Sequence, residues 1–169
     1  MRTVRTWILI LAAICLAVSA AAAEEDYLGK PLADFTAETI GGGSFTLSEA
    51  LKEKELVIIN LWATWCGPCG MEFPYMEEVY EQYQDRVEII ALSVDPGDTL
   101  ESITEYAADR GLTFPMGNDA GIGLSETFKV MYIPTTVVID RNGVAVASEF
   151  GAKTSADAFR ELFDRYLEE

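Results

Sequence analysis

The 169-residue chain sets 28 Asp and Glu against 12 Lys and Arg and has no histidine, for a formal charge of −16 at pH 7. That acidity argues against nucleic acid and anionic membrane surfaces as partners. The missing histidines exclude histidine-based triads, histidine metal sites and imidazole acid–base chemistry. Half of the residues are apolar, enough for a sizeable core in one compact domain plus a targeting segment.

The N-terminus has the pattern of a secretory signal. Arg2 and Arg5 precede the apolar run Trp7–Val18, and Ser19–Ala23 offers A-x-A-like cleavage sites near Ala21 or Ala23. Counted through Ala23, the apolar and small stretch is 17 residues, short of the roughly 20 that a spanning helix needs. Residues 1–23 are expected to be a signal peptide, with an uncleaved anchor as the alternative, and residues 24–169 the working domain. Cys15 lies inside the run behind Ile14, not behind the small residue a lipoprotein signal needs, and reads as a bystander. The expected location is extracytoplasmic, in a periplasm or on the outer face of a membrane. An oxidising space of that kind readily drives two close cysteines to a disulfide.

After a polar lead-in, Phe35–Thr39 and Ser44–Leu47 are short strand-like runs split by Gly41, Gly42 and Gly43, a hairpin pattern. Leu56–Trp62 is nearly continuous apolar and β-branched, as in a strand buried on both faces. The spacing of Cys69, Phe73, Met76, Tyr80 and Tyr83 predicts a helix to about Tyr83, kinked at Pro74. Val87–Val94 reads as a second buried strand. Asp98-x-x-Glu101 resembles a capping box for a helix that Gly111 stops, and a shorter helix is expected over Leu124–Phe128. Strands Thr135–Asp140 and Val144–Ser148 join through Asn142-Gly143, and Ser155–Leu167 closes the chain as an amphipathic helix. This order implies an α/β fold with a mixed sheet and helices on both faces.

The chemistry concentrates in "LWATWCGPCGMEFP", Leu61–Pro74. Two thiols without histidine do not make a four-ligand zinc site, and a static disulfide closing so small a loop would restrain little of the unfolded chain. A redox pair fits the position better. Cys66 falls where a buried strand ends and a helix begins, and there the unpaired N–H groups and the helix dipole stabilise a thiolate. Cys69, one turn on, lies on the same side and can resolve a mixed disulfide formed by Cys66. Pro68 is tolerated in the first helical turn. Trp62 reads as core packing near the site, and Tyr75, Tyr80 and Tyr83 as core or helix surface.

"WCGPC" behind an apolar strand resembles the thioredoxin active-site signature, over about residues 27–168. "IPTT" at Ile133–Thr136 is similar to the segment that carries that family's cis-proline, with Pro134 as the counterpart. "NGVAVASEFGA" resembles its last hairpin and following loop, which would put Gly151 beside the substrate groove. The lead-in hairpin, the export signal and "CGMEFP" narrow the resemblance to the TlpA/ResA/CcmG-like exported thiol–disulfide oxidoreductases, within the AhpC/TSA–Redoxin-like superfamily. It implies a thioredoxin-like fold with an N-terminal β-hairpin extension, and a redox-active Cys66–Cys69 disulfide with Cys66 as nucleophile and Cys69 as resolving thiol. Trp65, Ile133 and Pro134 would form an apolar docking surface.

One departure is informative. Cytosolic thioredoxins place a buried aspartate six residues before the first cysteine, where this chain has Asn60. The exported branch carries an acid in C-x-x-E-F-P, here Glu72, one helical turn after Cys69. Glu72 is expected to manage the proton of Cys69 and tune both thiols.

The exchange needs no metal or organic cofactor. Gly-Pro between the cysteines points to a reducing poise near about −270 mV, against about −120 mV for strong dithiol oxidants. The expected activity is reduction of disulfides in exported proteins, with apocytochrome c among the substrates the resemblance implies, recharged by a membrane thiol donor; a monomer is expected. The alternatives are a general thioredoxin-like reductase or dithiol oxidase with no cytochrome role, and a peroxiredoxin-like peroxidase. Against the last, Ala63 stands where a peroxidatic site has a Thr or Ser.

Overall fold

In the computed structural model, which describes residues 27–167, the run Leu56–Trp62 is the central strand, β3, and all seven of its residues are buried. The segment read as a signal or anchor, with Cys15, lies outside the described residues. β3 pairs in parallel with β4 (Val87–Ser93) on one side and antiparallel with β6 (Thr135–Asp140) on the other. Both of its edges are therefore hydrogen-bonded, and both of its faces are covered, which is why it tolerates an apolar residue at almost every position.

The remaining strands are β1 (Thr36–Thr39), β2 (Gly43–Thr46), β5 (Met116–Asn118) and β7 (Ala145–Phe150). The mixed seven-stranded sheet runs β2-β1-β5-β4-β3-β6-β7. Helices α1 (Leu47–Glu53), α2 (Gly67–Tyr83), α3 (Leu100–Arg110), α4 (Leu124–Thr127) and α5 (Ala156–Leu167) cover it on both faces. Alternation along β3 sorts the two cores. Leu56, Ile58 and Trp62 pack with Phe73 and Met76 of α2, Ile103 of α3 and Phe159 and Phe163 of α5. Val57, Ile59 and Leu61 pack instead with Leu47, Leu124 and Phe128. Each such fully buried side chain contributes about 1.5–3 kcal/mol. The expected α/β sandwich with an N-terminal hairpin is thus the fold observed.

Several local expectations change. Leu47 does not end a strand but opens α1, because Asp34 accepts the Ser48 N–H at 2.9 Å and the Ser48 hydroxyl at 2.7 Å, and the Leu47 side chain is buried. The capping box of α3 is Thr99 with Ser102, not Asp98 with Glu101. Asp98 is diverted because its carboxylate is already taken by Thr64 and Ser93. β7 extends two residues beyond Ser148, to Phe150.

β5 was not expected at all: three residues with a glycine in the middle make no legible strand. Its partners hold it. Met116–Asn118 pair in parallel with Ala91–Ser93, and Gly117 sits opposite Thr39, joining the N-terminal hairpin to the main sheet. A Cβ on Gly117 would meet the Glu38 carbonyl oxygen at 2.3 Å, so only glycine admits this approach. Gly117→Ala should therefore push β1 away from β5 at a cost of about 1–3 kcal/mol. A thermal melt should show Tm lowered by several degrees; an unchanged Tm would mean the hairpin contributes nothing to global stability.

Candidate active site

The end of β3 passes into α2 through the turn Ala63–Cys66, closed by the Cys66 N–H donating to the Ala63 carbonyl at 3.0 Å. Cys66 is the N-cap of α2, and its sulfur accepts the Cys69 N–H at 3.2 Å. No acidic residue occupies the first turn of this helix, so no side chain of that turn offsets its positive end at the sulfur. Pro68 sits in the first two helical positions, where it removes no intrahelical bond.

Cys66 and Cys69 are joined in a disulfide, with their Cα atoms 5.3 Å apart. Cys66 keeps 5% of its surface exposed and Cys69 none, an asymmetry that makes Cys66 the sulfur an incoming thiol or disulfide can reach. In the same core cluster as the pair, Trp62 packs edge-on against Phe73 at 5.0 Å between ring centroids and tilted against Tyr106 at 4.8 Å. This aromatic layer fixes the first turns of α2.

Glu72 is fully buried on the inner side of α2. One carboxylate oxygen accepts from Asn60 Nδ2 at 2.8 Å and the other from the Lys153 backbone N–H at 3.0 Å. Burial pushes its pKa above the ordinary 4.5; the Lys153 N–H, the Asn60 amide and the Lys153 charge offset part of that rise. Asn60 turns its NH2 to the carboxylate and leaves its own Oδ1 without a hydrogen-bond partner among the described residues. The same NH2 lies 3.4 Å from the Thr136 hydroxyl, so Glu72 and Thr136 together set the amide's orientation.

Register places the proline loop at the same end of the sheet. Leu61 pairs with Thr135, so Pro134 lies level with the C-terminal end of β3. The Ile133–Pro134 peptide bond is cis, and the Gly151 N–H donates to the Pro134 carbonyl at 2.8 Å. Gly151 has φ of 92°, a backbone conformation side-chain-bearing residues rarely adopt. Ile133 is half-buried against the core, whereas Trp65 is 68% exposed.

Sequence reasoning missed three neighbours of this loop: Met131, Tyr132 and Phe150 are all largely exposed, and the Tyr132 and Phe150 rings lie 6.0 Å apart. The signal was available, since "VMYIP" is apolar yet belongs to no strand or helix. Lys153 was missed because its backbone, not its side chain, meets Glu72. Among the described residues no three His, Cys, Asp or Glu side chains group to hold a metal ion.

A Cys-x-x-Cys disulfide at a helix N-terminus, with a cis-proline loop at the same end of a mixed sheet, defines the thioredoxin-fold class of thiol–disulfide oxidoreductases. Residues 28–148 match the AhpC/TSA family, and the chain belongs to it. It is 35% identical over 145 residues to the thiol-disulfide oxidoreductase ResA of Bacillus thuringiensis, covering 85% of this chain and 79% of that one. It is 32% identical over 135 residues to the thioredoxin-like protein YneN of Bacillus subtilis, covering 79% and 78%. A thioredoxin family thiol:disulfide interchange protein from Chlorobium tepidum superposes with a TM-score of 0.71 at 28% identity, over 81% of this chain and 95% of that one. The chain is accordingly a thiol–disulfide oxidoreductase.

The buried carboxylate has a measurable signature in the oxidised protein, where neither Cys66 nor Cys69 titrates. Below about pH 4.5 Glu72 is protonated in both folded and unfolded chains; above it the unfolded chain ionises first, binds fewer protons, and stability falls as pH rises until the folded carboxyl also ionises. Oxidised Glu72→Gln should thus gain stability over wild type progressively as pH rises above 4.5. Urea unfolding across that range is the measurement, and a gap independent of pH would show that burial does not raise the Glu72 pKa.

Proposed function

We propose that the protein is an extracytoplasmic reductase of disulfides in exported proteins, with apocytochrome c among its substrates. In this reading Cys66 is the nucleophile. Its thiolate attacks one sulfur of the target, releasing the other as a thiolate and forming a mixed disulfide. The Cys69 thiolate then attacks Cys66 Sγ, freeing the second target sulfur and leaving the Cys66–Cys69 disulfide. Two electrons pass to the target, the protons of both active-site thiols are given up, and a membrane thiol donor returns the centre to the dithiol.

The observation that carries the reducing direction is Glu72, a carboxylate buried one turn from Cys69. Two negative charges do not readily share one buried site, so an ionised Glu72 disfavours the Cys69 thiolate. A dithiol without that stabilisation gives up its electrons more readily, and the Gly-Pro dipeptide points the same way. Glu72 is also the base that takes the Cys69 proton as the thiol attacks. Targets dock on the exposed Trp65 and the loop of Ile133, Pro134 and Gly151, flanked by Tyr132 and Phe150, and the cis-proline segment presents the extended chain to Cys66.

Two measurements bear on this. Equilibration with dithiothreitol should give a potential near about −270 mV, and Glu72→Gln should shift it upward while moving the alkylation pH profile of the thiols down by about one unit. A wild-type value near about −120 mV would make the protein an oxidant, and an unchanged profile would remove Glu72 from the chemistry. For the substrate, Cys69→Ala expressed in the native host should trap mixed disulfides at Cys66. Recovery of apocytochrome c supports the maturation role, and a broad spread of exported proteins supports the general reductase instead.

A further inference from the structure

The loop between β4 and α3 reaches the turn before Cys66 through two carboxylates that the exchange chemistry itself does not use. Asp98, almost fully buried, accepts the Thr64 N–H at 2.9 Å, the Thr64 hydroxyl at 2.6 Å and the Ser93 hydroxyl. Asp95 accepts the Trp65 indole N–H on one oxygen and the Gly97 N–H, at 2.7 Å, on the other. The Asn118 amide donates to the backbone carbonyls of both residues, tying the loop to β5. The two residues preceding the nucleophile are thus each gripped by a different aspartate.

The two grips act on different things. Asp98 holds backbone and side chain of Thr64, and so the place of the turn that delivers Cys66. Of Trp65, Asp95 touches only the far end of the side chain, its other oxygen being held by Gly97 within its own loop. Trp65 is 68% exposed, and an indole so open to solvent would sample several rotamers were its N–H not held. Holding it removes an ordering cost that a docking partner would otherwise bear.

We propose that Asp95 is a positioning residue for polypeptide substrates: by fixing the Trp65 ring it biases the enzyme toward disulfides carried in a peptide chain over small soluble disulfides. The inference rests on the docking role given to Trp65 above. A peptide flanking its cysteine lies across the ring and gains from its fixed orientation. A small disulfide needs only the Cys66 sulfur and gains nothing. Asp98 carries no such bias, because displacing Thr64 moves the sulfur for both kinds of substrate.

The test compares rates of thiol–disulfide exchange of the reduced protein with insulin and with the neutral hydroxyethyl disulfide. Asp95→Ala should lower the insulin-to-small-disulfide rate ratio by about fivefold, the range expected for losing one pre-ordered side chain. Trp65→Phe, which keeps an apolar ring but lacks the N–H, should lower the ratio similarly, and adding Asp95→Ala to it should do nothing more. Asp98→Asn should slow both reactions together. A parallel fall of both rates in Asp95→Ala, an unchanged ratio, or a loss that persists in the Trp65→Phe background would each overturn the inference. Trp65→Ala separates the two readings. A lowered ratio there beside an unaffected Asp95→Ala leaves Trp65 as a docking residue and removes Asp95, whereas an unaffected Trp65→Ala removes both.

Discussion

The protein's chemistry depends on the hand-over from β3 to α2. A strand hydrogen-bonded on both edges and buried on both faces has almost no freedom to shift, so the turn that follows it starts from a fixed point. Within that turn the Cys66 N–H closes on Ala63, and the sulfur takes the place a capping side chain would occupy at the start of α2. The N-terminal N–H groups of a helix need an acceptor, and here the acceptor is the more exposed sulfur of the pair. Structural need and chemical activation are met by one contact. The aromatic layer of Trp62, Phe73 and Tyr106 keeps it from relaxing.

Around that junction the sheet gathers pieces from distant parts of the chain. Glu72 draws together Asn60 on β3 and the backbone at Lys153, beyond β7. Gly151, two residues before that amide, holds the Pro134 carbonyl. One buried carboxylate therefore bridges the helix that carries both cysteines and the loop that follows β7. Its raised pKa follows from being enclosed by apolar neighbours with two neutral donors and a nearby ammonium as compensation. On the far side of the turn, Asp98 and Asp95 supply the matching constraint from the β4–α3 loop.

Much of this was legible beforehand because it follows from local pattern. The apolar run of β3, the helical spacing of Phe73 and Met76, the Asn142-Gly143 hairpin and the closing helix all appear where the periodicities put them. Failures fell where a tertiary contact outweighed the local signal. The capping motif at Asp98 was a sound local pattern, and Thr64 and Ser93, from other elements, took the carboxylate away. β5 exists because β1 and β4 flank it, not because Met116–Asn118 favours a strand. Helix α1 was within reach, since Leu47, Ala50 and Leu51 are spaced for it, but the neighbouring strand pattern claimed Leu47 first.

The sequence by itself determined the reactive pair, the strand and helix that present it, and the absence of imidazole chemistry, because each depends on residue type and near spacing. Only the tertiary structure decided that Glu72 is buried and which groups hold its charge, that Pro134 and Gly151 meet, that Met131, Tyr132 and Phe150 face solvent beside them, and that two aspartates grip Thr64 and Trp65. Those facts join residues separated by 12 to 81 positions in the chain. A carboxylate's burial and the partner of a backbone amide are properties of packing, and no local periodicity encodes them.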